Sequence, residues 1–465
     1  MTVEDQKSYV FQAKIDEQLP NVLSGNGIKI QVEKDGKVTE LIDAMTGAAV
    51  GALGWGDPEV HKIMSEAATV TSYSYPAYIG NKHAEALAKF YIDNSPKGAF
   101  AGALWCGSGS ESNENALKLV RQYHLEKGNI KKTKFISRTT SYHGFTIGAL
   151  SISSNTRAKN FKDILLPESQ CLKMPVCYEY RNKKKTESTA EYVQRLLDNL
   201  EEMILAEDPD TIAAVIVETL PGSSLGTAPP PAGYLPGIRA LCNKYDVLFM
   251  LDEVMCGTGR CNPNGGLNCW ENFLTVEQGP DIQTVGKTLG SGYVSIAGIL
   301  ISPKVRNTFL KGSGKVFGAH TYSGHAFNCL VALKVQERIK ELKLTSNIFK
   351  MGNLLGEKLT ESLKDSPLVG DVRGIGGFWS VELVKNKDTK ESFPLPLDVC
   401  HHLQDICFDN GLTVMGNQCC NVDSGDHVSL APSFIITEEN VEQIVQIFTK
   451  SVNDLQKELI ASGDF

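Results

Sequence analysis

Between about residues 99 and 302 the chain carries a series of apolar runs with little or no polar alternation: AFAGALW, KFIS, IAAVIVE, VLFML and VSIAGILI. Runs of this kind read as strands covered on both faces, the condition of a parallel sheet flanked by helices. Helical segments alternate with them, and LPGIRALCNKY between IAAVIVE and VLFML makes a βαβ unit. The pattern predicts an α/β fold, with a large domain built around a mostly parallel sheet. Beyond Gly324 a long helical pattern begins, and DVRGIGGFWSVELV and HVSLAPSFII read as strands of a second unit. Val441, Ile444, Val445, Phe448, Val452 and Leu455 then form the apolar stripe of a last helix. No Gly/Ser/Pro linker isolates the residues up to about Ala68, so they are expected to pack with the C-terminal part. The division expected is 69–332 as the large domain, with 1–68 and 333–465 as the two parts of a smaller α+β domain.

The stretch LWCGSGSESNENALKLVRQY sets four small residues between an apolar run and a helix whose Ala116, Leu117, Val120 and Tyr123 share one face. Unpaired backbone N–H groups and the positive end of the helix dipole make such a start a good anion site, and serine hydroxyls add donors. A solvent-exposed Gly/Ser turn that binds nothing is the alternative. The dinucleotide fingerprint fails, because Ser112 stands where the third glycine belongs. A P-loop fails as well: Gly286-Lys287-Thr288 has Asp281 in place of its first glycine, and Gly314-Lys315 is followed by Val316.

Two apolar strands end in acids, IAAVIVE in Glu218 and VLFMLDE in Asp252-Glu253. Burying a carboxylate is costly unless a cation pairs with it, and in open α/β sheets the ligand crevice lies at the carboxyl ends of the strands. Lys287, just before a Gly-rich turn and an apolar strand, is a candidate for a semi-buried amine of the kind a Schiff base needs. Gly222-Ser223-Ser224-Leu225-Gly226 satisfies G-x-S-x-G, but TAPPPAG follows where a nucleophile elbow requires a helix.

With 465 residues, 42% of them hydrophobic, the chain is globular, and the net charge of −8 comes without a basic stripe. The densest basic run, Arg181 to Lys185, reads as a solvated loop, so nucleic acid is not an expected partner. No apolar stretch approaches the roughly 18 residues of a membrane span, and the N-terminal residues mix acids with bases, unlike a targeting segment. A cytoplasmic protein without a membrane partner is expected. Twelve cysteines are too dilute for a disulfide scaffold. Cys256, Cys261 and Cys269 have spacings unlike a zinc C-x-x-C pair, so no metal is expected.

Taken in order, CGSGSESNENALKLVRQYH, SYHGFTIGALSIS, IVETLPG, LDEVMCGTGR, PDIQTVGKTLGSGY, HTYSGHAFNCLVAL and DVRGIGGFWSVEL resemble the landmarks of the class III pyridoxal-phosphate aminotransferases, over about Thr39 to Val452. The resemblance implies a fold-type-I transferase: a large domain on a mostly parallel sheet, a smaller domain from both chain ends, and a homodimer with its sites at the interface. It gives Ser108, Gly109 and Ser110 the phosphate of pyridoxal 5′-phosphate. Lys287 would form the Schiff base and carry the proton between substrate and cofactor, and Asp252 would pair with the pyridine nitrogen. Tyr142 would stack on the ring, Val254 would pack behind it, Glu218 would lie near the substrate, and Thr321 would reach the phosphate of the neighbouring subunit. His143 is also drawn towards the site.

The sequence departs from the family at three places. Met255 follows LDEV where many members carry a glutamine, GRCNPNGGLNCW extends a short turn and is expected to reshape the entrance, and Ser429 stands where many members place a carboxylate-gripping arginine. Either Arg260 or Arg373 takes over that arginine's part, or discrimination for α-carboxylates is poor. The expected reaction moves an amino group from an ω-amino acid or primary amine to a keto acid. A decarboxylase, mutase or racemase on the same scaffold is the alternative.

Overall fold

The computed structural model describes all residues except 1–7, 13, 16, 155 and 422. The first seven, part of the N-terminal stretch read for targeting, lie outside the described residues. The large sheet has seven strands: β1 (Gly102–Cys106), β2 (Lys134–Arg138), β3 (Cys171–Met174), β4 (Ile212–Glu218), β5 (Leu248–Asp252), β6 (Ile282–Val285) and β7 (Ala297–Ile301). Their spatial order is β1-β7-β6-β5-β4-β2-β3. Pairing is parallel from β6 through β5, β4 and β2 to β3, and β7 runs antiparallel to both β6 and β1.

Every residue of β4 and β5 is buried. Alternate residues face opposite sides. Val215, Val217, Phe249 and Leu251 pack with Leu235, Ile238 and Cys242 of helix Tyr234–Lys244, whereas Ile216 and Met250 pack with Ala116, Leu117 and Val120 of helix Gly109–Glu126. Both faces are dry, which is why these strands lack alternation. Removing one such leucine or isoleucine to alanine costs about 2–5 kcal/mol.

The chain ends form two four-stranded sheets. Asn21–Asn26, Lys29–Lys34 and Lys37–Asp43 are joined by Leu412–Thr413, which pairs in parallel with the last of them. Val369–Ile375, Phe378–Leu383, Ser424–Leu430 and Met415–Asn421 form the other. The expected last helix spans Glu438–Ser462 and buries its stripe, Val441 through Leu455. One core gathers Ile42, Leu53 and Val60 from the beginning of the chain with Leu355, Val381, Val428 and Phe448 from its end. HVSLAPSFII is strand only as far as Leu430. Pro432 has no N–H for a ladder, and its carbonyl instead accepts from Arg260 Nη1 at 2.9 Å.

Candidate active site

Parallel pairing sets Glu218 beside Asp252, and Asp252 beside Thr284, at the carboxyl ends of three strands. Asp252 Oδ1 accepts Val254 N–H at 3.0 Å, and Oδ2 accepts Asn113 Nδ2 and His143 Nδ1, each at 2.9 Å. Asn113 is itself fixed, donating to His143 O at 2.6 Å and accepting Thr284 Oγ1 at 3.2 Å. A carboxylate has about four lone-pair sites, so this three-donor cradle orients the group and leaves one acceptor site. Glu218 receives Ser224 Oγ at 3.1 Å on Oε1, while Oε2 has no hydrogen-bond partner. Burial raises its pKa, against the pull of His143 and Arg138.

Helix Gly109–Glu126 starts directly below β1. Ser108 is its N-cap, with Oγ accepting Glu111 N–H at 3.2 Å, and the Glu111 carboxylate closes a capping box on the amides of Gly107 and Ser108. The amides of Gly109 and Ser110 lie in the first turn, where no helical carbonyl precedes them. Glycine is required at 109, because a Cβ there would stand 2.8 Å from Val254 Cγ1. Ser110 Oγ accepts Phe145 N–H at 2.9 Å, which ties the helix start to the segment carrying Tyr142 and His143.

Lys287 follows β6 with φ of 46°, a conformation that a non-glycine residue adopts only where its surroundings impose it. The N-terminal segment supplies that constraint: Lys287 Nζ donates to Ala48 O at 2.9 Å, and Ser291 Oγ accepts the amides of Ala52 and Leu53. Burial, with smaller contributions from Arg260 and Arg157, lowers its pKa to about 8.

These elements enclose a cavity of about 520 Å³ lined by Ser108, Gly109, Ser110, Tyr142, His143, Glu218, Asp252, Val254 and Lys287. Thr321 is outside it, exposed, in an adjoining cleft with Gly107 and Glu111. Met255 lines the cavity, packed against Gly222.

The other expectations for this region need correction. The extended turn borders none of the cavity: Asn262 folds it inwards, accepting the amides of Asn264 and Gly266 and donating to Asn268 O and Glu271. Arg373 is spent on Asp371, Glu382 and the carbonyls of Leu225 and Gly226. Arg260 is buried on Phe434, with Nη1 on the carbonyls of Gly377 and Pro432. Neither arginine lines the cavity. Ser429 is also away from it, paired with Ser380 Oγ at 2.8 Å. Glu253 lies with Cys256 and Cys269, but its carboxylate already accepts Thr219, Gln283 and the amides of Cys269 and Trp270.

Residues 12–452 match the family model described as aminotransferase class-III. The chain belongs to the class III aminotransferases. It is 36% identical to an uncharacterized aminotransferase of Schizosaccharomyces pombe, over 96% of this chain and 95% of that one. It is 32% identical to γ-aminobutyrate transaminase 1 of Solanum lycopersicum, over 90% of this chain and 78% of the relative. The solved ω-transaminase of Pseudomonas jessenii in complex with PMP superposes with a TM-score of 0.88 at 29% identity, covering 98% of this chain and 99% of that one. This aminotransferase therefore has the fold-type-I architecture and catalyses pyridoxal-phosphate-dependent amino transfer. The decarboxylase, mutase or racemase alternative is not favoured.

The cavity fits that cofactor. A helix start with uncommitted first-turn amides suits a phosphate, a cradled carboxylate with a spare lone pair suits a protonated ring nitrogen, and a lysine of lowered pKa suits an aldehyde. Sequence reasoning overlooked Asn113, Arg157, Met415 and Asn417, all of which line the cavity. Asn113 had a signal, since it lies one helical turn after Gly109 in CGSGSESNENALKLVRQYH.

Proposed function

We propose that this aminotransferase takes its amino group from an ω-amino acid or primary amine and delivers it to a keto acid, with Lys287 as the Schiff-base lysine. The observation that carries this is the convergence of Lys287, its amine made nucleophilic by burial, with the cradled carboxylate of Asp252 in one cavity. Pyridoxal phosphate, when bound, supplies an electron sink for the substrate carbon. The chain's own residues do the rest. Ser108, Gly109 and Ser110 hold the phosphate, Asp252 keeps the ring nitrogen protonated, and Asn113 and His143 aim Asp252. Tyr142 and Val254 bracket the ring, Glu218 faces the substrate, and the Lys287 amine moves the proton at the substrate carbon. The donor class is supported by relatives named γ-aminobutyrate transaminase and ω-transaminase.

The working unit is a homodimer in which Thr321 reaches the partner's phosphate site. Support comes from the exposed Tyr73 and Tyr322, whose rings meet edge to face beside Thr321 with Tyr73 Oη donating to Thr321 O, and from the exposed apolar side chains of Tyr75, Tyr78, Val316 and Phe317 in the same two segments. Residues 69–332 serve as the cofactor-binding unit, and 1–68 with 333–465 as the smaller one. Twelve free thiols suit a reducing, cytoplasmic setting, and among the described residues no helix is long and apolar enough to cross a membrane. A screen of γ-aminobutyrate, simple amines and α-amino acids against keto acids tests the reading. Keto acid is expected to be consumed one-for-one with amine, and release of CO₂ in its place would overturn the assignment.

A further inference from the structure

Helix Val399–Asp409 of the smaller domain opens on Asp398-Val399-Cys400-His401. Asp398 is the N-cap residue, so His401 stands one turn further on and on the same side. Three donor atoms of different chemistry meet there. Cys400 Sγ lies 3.8 Å from Asp398 Oδ1 and 3.7 Å from His401 Nδ1, and those two atoms are 2.6 Å apart. Cys400 is buried, Asp398 half-buried and His401 exposed, so the group runs from the interior to solvent.

A nucleophile with its base and acid would use the same residue types in series, the imidazole turning its two nitrogens to opposite partners. Here one nitrogen, Nδ1, faces both the thiol and the carboxylate. Burial also pushes the Cys400 thiol well above its ordinary value, the opposite of an activated nucleophile. Donors gathered around one point are the arrangement of ligands about an ion.

A fourth group comes from strand Ser424–Leu430. Asp426 is 1% exposed, its carboxylate stands against Cys400 with Oδ1 accepting the Cys400 amide at 3.4 Å, and Oδ2 has no hydrogen-bond partner. Burial raises its pKa, and the neighbouring Asp398 adds to the rise. Among the described residues neither acid has a lysine or arginine as an ion-pair partner. A buried carboxylate oxygen without a donor, beside a second acid, is costly unless a cation joins it.

We infer that Asp398, Cys400, His401 and Asp426 form a binding site for a zinc-class divalent ion, which ties the start of helix Val399–Asp409 to strand Ser424–Leu430. Zinc bonds of about 2.0–2.3 Å in a tetrahedron set ligand atoms about 3.3–3.7 Å apart. The two sulfur separations are close to that, and the nitrogen–oxygen pair is nearer because a hydrogen bond joins it. A sulfur ligand selects zinc over the hard cations calcium and magnesium. Binding releases the Cys400 proton to solvent and leaves the His401 ring proton on Nε2. His401 borders a cleft of about 390 Å³ that gives the ion a way in.

The test is a calorimetric titration of chelator-treated holoenzyme with zinc chloride, followed by X-ray absorption at the zinc edge. A single ion per chain is expected, with one sulfur and three nitrogen or oxygen neighbours. His401→Ala, an exposed change that leaves the fold intact, should weaken binding at least about tenfold, and Cys400→Ser at least about a hundredfold with loss of the sulfur neighbour. His402→Ala is the control, since that ring is turned to Glu458, and should change nothing. Two sulfurs would put the ion at Glu253, Cys256 and Cys269. No sulfur would put it on surface carboxylates or the cofactor phosphate. Either result overturns the inference, as does no binding, or unchanged affinity in either His401→Ala or Cys400→Ser.

Discussion

Lys287 and Asp252 come to one cavity from different strands, and the neighbours of each decide its protonation and direction. Burial brings the Lys287 amine from an ordinary value of 10.5 down to about 8, with Arg260 and Arg157 adding to the shift and Asp252 opposing it. Between those two values the unfolded chain holds a proton that the folded apoenzyme does not. The lysine therefore contributes a stability deficit below about pH 8 that is relieved as pH rises through 10.5. Cofactor capture by the apoenzyme needs the neutral amine, so its rate should climb through pH 8 and level off above it. Stopped-flow absorbance checks this, and a midpoint near 10.5 would mean that the amine is not desolvated. Asp252→Asn keeps the shape of the cradle and removes its charge. Turnover should drop by about 10²–10³, the loss typical of one preorganised electrostatic partner, with cofactor content largely retained. Steady-state kinetics at saturating cofactor measure it, and unchanged turnover contradicts the role.

At the scale of elements, the proposed phosphate site depends on how one helix begins. Ser108→Ala removes the N-cap acceptor for Glu111 N–H and half of the capping box, which should cost about 1 kcal/mol. A lower apoenzyme Tm together with weaker cofactor binding is the expected pair of results. An unshifted Tm would show that Glu111 alone caps the helix. This helix was legible because its turn and its apolar face stand side by side in sequence, as were β4 and β5, whose runs contain no polar residue before the terminal acid. β3 and β6 were not legible, for a common reason. Each carries polar side chains that the fold satisfies internally: Lys173 donates to Ser137 Oγ and Ser151 O, Gln283 accepts Trp270 Nε1, and Thr284 bonds Asn113. Apolar continuity is a signal only where no buried partner exists. The site divides in the same way. Ser108, Asp252 and Lys287 sit in local patterns, whereas Arg157 reaches the cavity through the packing of a four-residue turn, and the carbonyls that hold Arg260 and Arg373 belong to residues more than a hundred positions away.

For the whole molecule, the apolar surface around Thr321 and the cofactor cavity belong to one design if two copies complete each other's sites. Tyr78 is 86% exposed and Phe317 62%, so replacing both with glutamate leaves the monomer fold intact while placing charge in the proposed pairing surface. Sedimentation should show a monomer fraction increased at least about tenfold, with activity falling in step. An unaltered dimer would put the interface elsewhere. The assignment of Lys287 to the cofactor has a built-in competitor, since Lys173 is also a half-buried amine with its pKa lowered to about 8. Borohydride reduction of the holoenzyme fixes the cofactor to the lysine that holds it, and peptide mass mapping then finds the tag. The tag is predicted on Lys287 and absent from Lys287→Ala. A tag on Lys173, or one that persists in Lys287→Ala, would contradict the account.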